Sequence, residues 1–274
     1  MQLPDHYQDV VDRFIAACQA DERIVAAFLG GSYAEDKADQ YSDLDLFFIT
    51  TDQAYETFLA ERERFIRLLG EPWFLEDFGA PHGYFVFFSN GADCEIWFGR
   101  ESKFHNIHGG PYRVLLDKKD ILAAEVFPSH VAEPAKQTEL LRQQLNGFWH
   151  ELSHFIKAMA RRQLWFAHGQ LEVMRQICVN LARLRYNFSD AAVGDEPYFK
   201  VEQALPVEQL SPLQTTYGSM EYESMLQAGL VICRFYQEVA PNLARVHHLT
   251  YQTGLEQMLM GQLKELDNND HLSG

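Results

Sequence analysis

The sequence predicts an α+β chain in two parts: an α/β domain over residues 1–135 and an all-helical domain over residues 136–274. Three observations predict it. Apolar runs of strand length, closed by Gly-Gly-Ser and Asn-Gly turn signals, are confined to roughly the first 130 positions. From Lys136 onward apolar residues recur at helical spacing, with breaks only near Asp190–Pro197, Leu205–Pro212 and Pro241. Charge divides at the same place: residues 1–135 hold 11 Lys and Arg against 24 Asp and Glu, whereas residues 136–274 hold 12 against 15.

Asp5 to Ala20 places Val10, Val11, Phe14, Ile15 and Cys18 at helical spacing. Ile24 to Leu29 is a short apolar strand ending at Gly30-Gly31-Ser32. Residues 43–49 alternate and then become continuously apolar, as a strand entering a buried sheet does. Asp52 to Leu69 returns to helix period through Tyr55, Phe58, Leu59, Phe65 and Leu69. Tyr84–Phe88 and Asp93–Phe98 read as a hairpin around Asn90-Gly91. The Gly- and Pro-bearing stretch 99–135 reads as a connector with short elements.

Composition narrows the function. At 47% hydrophobic and 23% charged residues the chain is an ordinary globular one. No apolar run approaches the roughly 18–20 residues that cross a bilayer, and the acidic N-terminus lacks the basic start and apolar core of a signal peptide. Four scattered cysteines, Cys18, Cys94, Cys178 and Cys233, read as buried thiols; a cytoplasmic location is the expectation. The net charge of −16 repels phosphate backbones, and no extended basic surface is present, so long nucleic acids are disfavoured as partners. The same field attracts divalent metals and small cations. One segment inverts it: Lys157, Arg161, Arg162, Arg175, Arg183 and Arg185 stand with Glu172 as the only acid among them.

The chemistry concentrates in Gly30-Gly31-Ser32-Tyr33-Ala34 and Tyr41-Ser42-Asp43-Leu44-Asp45-Leu46. On a strand Asp43 and Asp45 share one face while Leu44, Leu46 and Phe48 share the other. Two carboxylates held that closely favour protonation unless a cation sits between them, and Mg²⁺, which takes one or two carboxylates plus phosphate oxygens, fits such a pair. A strand ending in Gly-Gly-Ser can turn sharply and offer backbone N–H groups and the Ser32 hydroxyl to phosphate. Asp93, Glu95 and Trp97 share a face of the next hairpin strand, within reach of the pair if the two strands are neighbours.

The run GGSYAEDKADQYSDLDLFF resembles the signature of the polymerase-beta-like nucleotidyltransferases, and within them it is most similar to the bacterial antibiotic nucleotidyltransferases, particularly the lincosamide type, with the aminoglycoside type beside it. The resemblance is good over residues 21–49, fair over 84–98 and architectural beyond 136. It implies a mixed sheet followed by a helical bundle for substrate binding and dimerisation. It also implies transfer of a nucleoside monophosphate from Mg²⁺·NTP, such as ATP, to a hydroxyl of a small, cationic acceptor, with release of pyrophosphate and two metal ions in turnover. By it, Gly31 and Ser32 hold the triphosphate, Asp43 and Asp45 bind metal, and Glu95, with Asp93 in reserve, binds metal or deprotonates the acceptor. Arg161 and Arg162 are assigned to the nucleotide, the acceptor is expected between the two halves, and dimers occur among the proteins it resembles. Asp36 stands where such proteins commonly carry Gly; Asp tolerates the left-handed conformation better than most residues.

A rival motif is the literal HExxH of His150-Glu151-Leu152-Ser153-His154, which on a helix stacks two histidines that can chelate zinc with Glu151 as base. Glu172 lies where some zinc peptidases place a third ligand. The flanking Phe148, Trp149, Leu152, Phe155 and Ile156 describe a packing helix instead. A catalytically silent nucleotide-binding or toxin–antitoxin-type regulatory protein is the remaining alternative, and the intact trio of acids argues against it.

Overall fold

The computed structural model describes all residues except 1–2, 80–82, 124–126, 128–131, 191, 195 and 271–274. The chain forms two compact units, Met1–His130 and Val131–Gly274.

The first unit is built on a six-stranded sheet. Helix α1 (Asp5–Ala20) leads into β1 (Ile24–Leu29), a single helical turn α2 (Gly31–Ala34), β2 (Leu44–Thr50) and α3 (Tyr55–Ile66). Four strands follow: β3 (Pro72–Asp77), β4 (Gly83–Phe88), β5 (Asp93–Arg100) and β6 (Arg113–Asp117). Their spatial order is β3-β4-β5-β2-β1-β6. β2 and β5 run parallel and every other neighbouring pair is antiparallel, so the sheet is mixed as expected.

Alternation along the strands decides what covers each face. Leu44, Leu46 and Phe48 of β2, Tyr84, Val86 and Phe88 of β4, and Cys94, Ile96 and Phe98 of β5 point one way. They pack against Val10, Phe14 and Cys18 of α1 and Phe58 and Phe65 of α3. On the opposite face Ala26, Phe28, Phe47 and Ile49 are covered by Phe104, Leu122 and Phe127 of the connector. That cover lies over β1 and β2 and reaches Trp97 and Gly99 of β5. The same face carries Asp45 of β2, Asp93 and Glu95 of β5 and Glu76 of β3. β1, central and buried at all six positions, needs apolar residues on both sides.

The second unit is helical: α4 (Pro134–Ala160), α5 (Leu164–Tyr186), the short α6 (Val201–Ala204) and α7 (Val207–Gln214), α8 (Tyr222–Val246) and α9 (Thr253–Asp270). Phe148 stacks on Tyr236 with ring centroids 3.7 Å apart, and the Tyr236 hydroxyl donates to the Leu145 carbonyl at 2.8 Å. The break expected at Pro241 does not occur, since α8 runs through it. Proline removes one backbone hydrogen bond, but Val239, Ala240, Leu243 and Ala244 are buried on both sides of it and hold the helix on the core.

Two bases of the cationic segment are structural. Arg183, 2% exposed, bonds Asp190 at 2.8 Å, the Pro197 carbonyl at 3.0 Å and the Phe199 carbonyl, and so ties the 190–199 segment to α5. Arg175, also buried, bonds Glu172 and Thr216 and lies 3.9 Å from the centre of the Tyr217 ring. All four cysteines are buried and free. No helix among the described residues is long and apolar enough to cross a membrane.

Candidate active site

The acids come together at the end of the parallel pair. β2 and β5 set Asp45 opposite Glu95, with Leu44 opposite Cys94 and Phe47 opposite Trp97. Because Asp45 and Glu95 are register partners, Asp45 shares a face of the sheet with Asp93, Glu95 and Trp97 of β5; Asp43 stands just before β2, which begins at Leu44 rather than at the expected residue 43. Burial raises the Asp45 carboxyl to about 7, with the charges of Asp43 and then Glu95 adding to it. Burial also raises Asp43, reinforced by Asp93. A nearby positive charge would reverse both shifts, which suits the pair to a cation.

The Gly-Gly-Ser turn is fitted to Asp45. The Gly30 amide donates to the Asp45 carbonyl at 2.9 Å. Gly31 takes φ +57, and a Cβ built on it would lie 1.7 Å from Asp45 Oδ2. Only glycine combines that left-handed backbone with that approach. A Cβ at Gly30 would meet the Phe47 ring at 2.7 Å and the His108 imidazole at 2.9 Å, so the turn is walled on that side as well. Asp36 does adopt the left-handed conformation, at φ 56, and Arg113 at the start of β6 bonds it at 3.0 Å.

Glu95 is held by its own strand. The Trp97 indole N–H donates to Glu95 Oε2 at 3.1 Å. The indole lies over Gly83 of β4, where a Cβ would fall 2.4 Å from the ring, and Phe78 packs against it with centroids 5.6 Å apart. Asp93, the reserve acid, instead accepts a hydrogen bond from the Tyr7 hydroxyl of α1, which together with burial pushes that phenol up. Arg161 and Arg162 lie in the second unit, at the turn between α4 and α5; both are exposed, and Arg162 lies over the Tyr222 ring at 4.6 Å. Tyr33 and Trp149 are core, Trp73 and Trp165 are exposed, and Trp97 lies beside Glu95.

Among the described residues, no three His, Cys, Asp or Glu side chains are grouped so as to hold a metal ion. This weighs differently on the two metal readings. Zinc sites need three or four protein ligands. His150 and His154 do stack on α4 at 4.4 Å, and Glu151 meets His150 Nδ1 at 2.8 Å. Glu172, however, is taken up by Arg175 and Tyr198. Mg²⁺ needs one or two carboxylates and completes its shell with water and substrate phosphate, which the all-oxygen pair Asp43 and Asp45 suits.

The sequence matches the streptomycin adenylyltransferase family over residues 5–265. The chain belongs to that family. Its kind is therefore that of a nucleotidyltransferase, and the mixed-sheet-plus-helices architecture is in keeping with it. Among solved structures, it is similar to an aminoglycoside 6-adenyltransferase from Bacillus subtilis, at 16% identity and a TM-score of 0.41 over 96% of this chain and 99% of that one. No curated protein matches it. Residues that sequence reasoning missed are Gly83, which seats Trp97, Trp97 as the hydrogen-bond donor to Glu95, and His108 beside the Gly-Gly-Ser turn. A glycine opening a strand and a tryptophan two residues after an acid give no signal until the register is known.

Proposed function

We propose that the protein transfers the nucleoside monophosphate of an NTP, ATP by the family's name, to a hydroxyl of a small cationic acceptor of the aminoglycoside class. The observation that carries this reading is the seat of the Asp45 carboxylate against the Gly31 backbone with Glu95 as its register partner. In this reading Asp43 and Asp45 hold Mg²⁺, whose charge, when bound, would neutralise the phosphate oxygens. Gly31 and Ser32 receive the triphosphate through backbone N–H groups and the Ser32 hydroxyl. Glu95, oriented by Trp97, takes the proton of the acceptor hydroxyl. The oxygen then forms its bond to the α-phosphorus as the bond to the bridging α–β oxygen breaks, and pyrophosphate leaves with that electron pair. Positioning and charge neutralisation carry most of such a reaction. The assignment of Arg161 and Arg162 to the nucleotide stands on the sequence, and a rise in nucleotide KM in the double alanine variant is its test.

The experiment is a transfer assay with each of the four NTPs and Mg²⁺ against a panel of aminoglycosides including streptomycin, read by the mass of the adduct. Adduct formation by the unaltered protein, abolished in Asp45→Asn and in Glu95→Gln, is expected. Adduct formation that survives either substitution near the normal rate would move the chemistry elsewhere.

A further inference from the structure

The acid-bearing face of the sheet does not end at Glu95. Across the strands Asp45 stands beside Glu95, Glu95 beside Phe85, and Phe85 beside Glu76. One row over, Asp93 stands beside Phe87 and Phe87 beside Phe74. Phe85 and Phe87 meet edge to face at 5.2 Å, and Phe74 meets Phe85 at 6.4 Å. These rings are open: Phe74 is 50% and Phe87 42% exposed. β3 is an edge strand, and edges are commonly guarded by lysine, proline or a cover. β3 opens with such a proline, Pro72, and the side chains of this face in β3, β4 and β5 are Phe74, Glu76, Phe85, Phe87, Asp93, Glu95 and Trp97, with glycine at 83 and 99 and no base among them.

We propose that Phe74, Phe85 and Phe87, with Glu76 at their outer end, form the platform on which the acceptor lies; the inference rests on the transferase reading above. Strand order supplies the argument. The Gly31–Ser32 turn follows β1, on one flank of Asp45, and the aromatic face spans β4 and β3, on the other flank beyond Glu95. In-line displacement at the α-phosphorus requires the leaving pyrophosphate and the attacking hydroxyl to stand on opposite sides. A triphosphate on the β1 flank therefore places the acceptor on the β5–β4–β3 flank. From Glu95 to Glu76 is two strand spacings, about 10 Å, enough for a ligand of two sugar rings. Exposed aromatic faces bind cations and sugar C–H surfaces, and carboxylates at both ends select a polycation. The committed occupant is thus a hydroxylated ring compound with two or more positive charges.

The test is steady-state kinetics of the full chain with Mg²⁺·ATP and the aminoglycoside panel, for Phe74→Ala, Phe87→Ala, Phe87→Tyr, Phe87→Leu and Glu76→Gln. Each alanine variant is expected to raise acceptor KM about tenfold while leaving nucleotide KM in place. Phe87→Tyr should restore the KM and Phe87→Leu should not, because only the former keeps a π face. Glu76→Gln should raise KM most for the most highly charged acceptor, and less in high salt. Absence of transfer to every acceptor by the unaltered enzyme would sink the transferase reading and the platform together. Transfer with acceptor KM unmoved in both alanine variants would overturn the platform alone. So would a variant whose only change is in oligomeric mass, which would make the face a contact between copies.

Discussion

Replacing Gly31 with alanine should separate catalysis from folding. The backbone there has φ +57, and a residue with a Cβ loses about 1–2 kcal/mol in that conformation relative to one with φ below zero. The new methyl would lie 1.7 Å from Asp45 Oδ2 and 2.7 Å from its Cγ. Cβ atoms essentially never approach closer than 3.0 Å, so the carboxylate must retreat by about 1.3 Å or rotate away. Misplacement of a reacting group by about 1 Å costs on the order of 100-fold in rate. The expected result is a fall in kcat of about 100-fold or more, with a melting temperature lower by about 3–10 °C. Gly91→Ala is the control. It too is left-handed, at φ +90, but a Cβ there meets nothing within 4 Å, so it should lose comparable stability and keep its rate. Steady-state transfer kinetics and thermal unfolding on the two variants decide the matter. A Gly31→Ala enzyme within about threefold of normal, or a Gly91→Ala enzyme as inactive as Gly31→Ala, would refute the claim that Gly31 is there to admit the Asp45 carboxylate.

Trp97→Phe keeps a ring over Gly83 but removes the N–H that holds Glu95; kcat should fall about tenfold with little change in melting temperature, as loss of one hydrogen bond to a charged group implies. Asp45→Asn should stabilise the metal-free protein even as it abolishes turnover. With its carboxyl raised from 3.8 to about 7, Asp45 binds a proton more readily in the folded than in the unfolded chain, so its ionisation removes stability as pH rises through that range. Urea unfolding in EDTA should show a gain of about 2–4 kcal/mol at pH 8 that dwindles by pH 4; equal stabilities at pH 8 would disprove the electrostatic account. Arg183→Ala should destabilise the helical unit by about 3–5 kcal/mol, because Asp190 would be left with its partner gone. Arg161→Ala, at an exposed turn, should stay within about 0.5 kcal/mol of the parent in the same melt.

What could be read from the sequence was what obeys a single period. α1 is bounded as expected because Val10, Val11, Phe14 and Cys18 face one core and nothing competes. β1, β2 and β5 were legible for the same reason, and Asp43, Asp45 and Glu95 with them, since alternation puts acids and core residues on opposite faces whatever the neighbouring strand is. β3 was not legible. Its segment PWFLED begins with proline, holds two acids and buries little, which is how an edge strand reads. β6, five residues in a stretch marked by glycine and proline, is held by pairing with β1 rather than by its own pattern. The cationic segment of the helical unit misled in the other direction. A cluster of bases reads as a surface for anions, yet Arg175 and Arg183 are buried, and their partners are Glu172, Asp190, Thr216 and the backbone of loops whose composition shows only helix breaks.

The aromatic face was hidden by its own hydrophobicity. Tyr84-Phe85-Val86-Phe87-Phe88 is a continuous apolar run, the mark of a strand buried on both sides. In the sheet only Tyr84, Val86 and Phe88 meet the helices, while Phe85 and Phe87 look out beside Glu95 and Asp93. The cover over that face lies on β1 and β2 and reaches Trp97 and Gly99 of β5 but not the Phe85 and Phe87 rings, because the connector that supplies Phe104, Leu122 and Phe127 leaves β5 and returns to pair beside β1. One excursion of the chain therefore does two things: it closes the sheet behind the Gly-Gly-Ser turn, with His108 against Gly30, and among the described residues it leaves Phe74 and Phe87, beyond the acids, exposed. The proposed chemistry would use both, a walled flank for the phosphates and an open one for the acceptor, and neither is a property of any motif. They follow from strand order, which alternation and spacing do not encode.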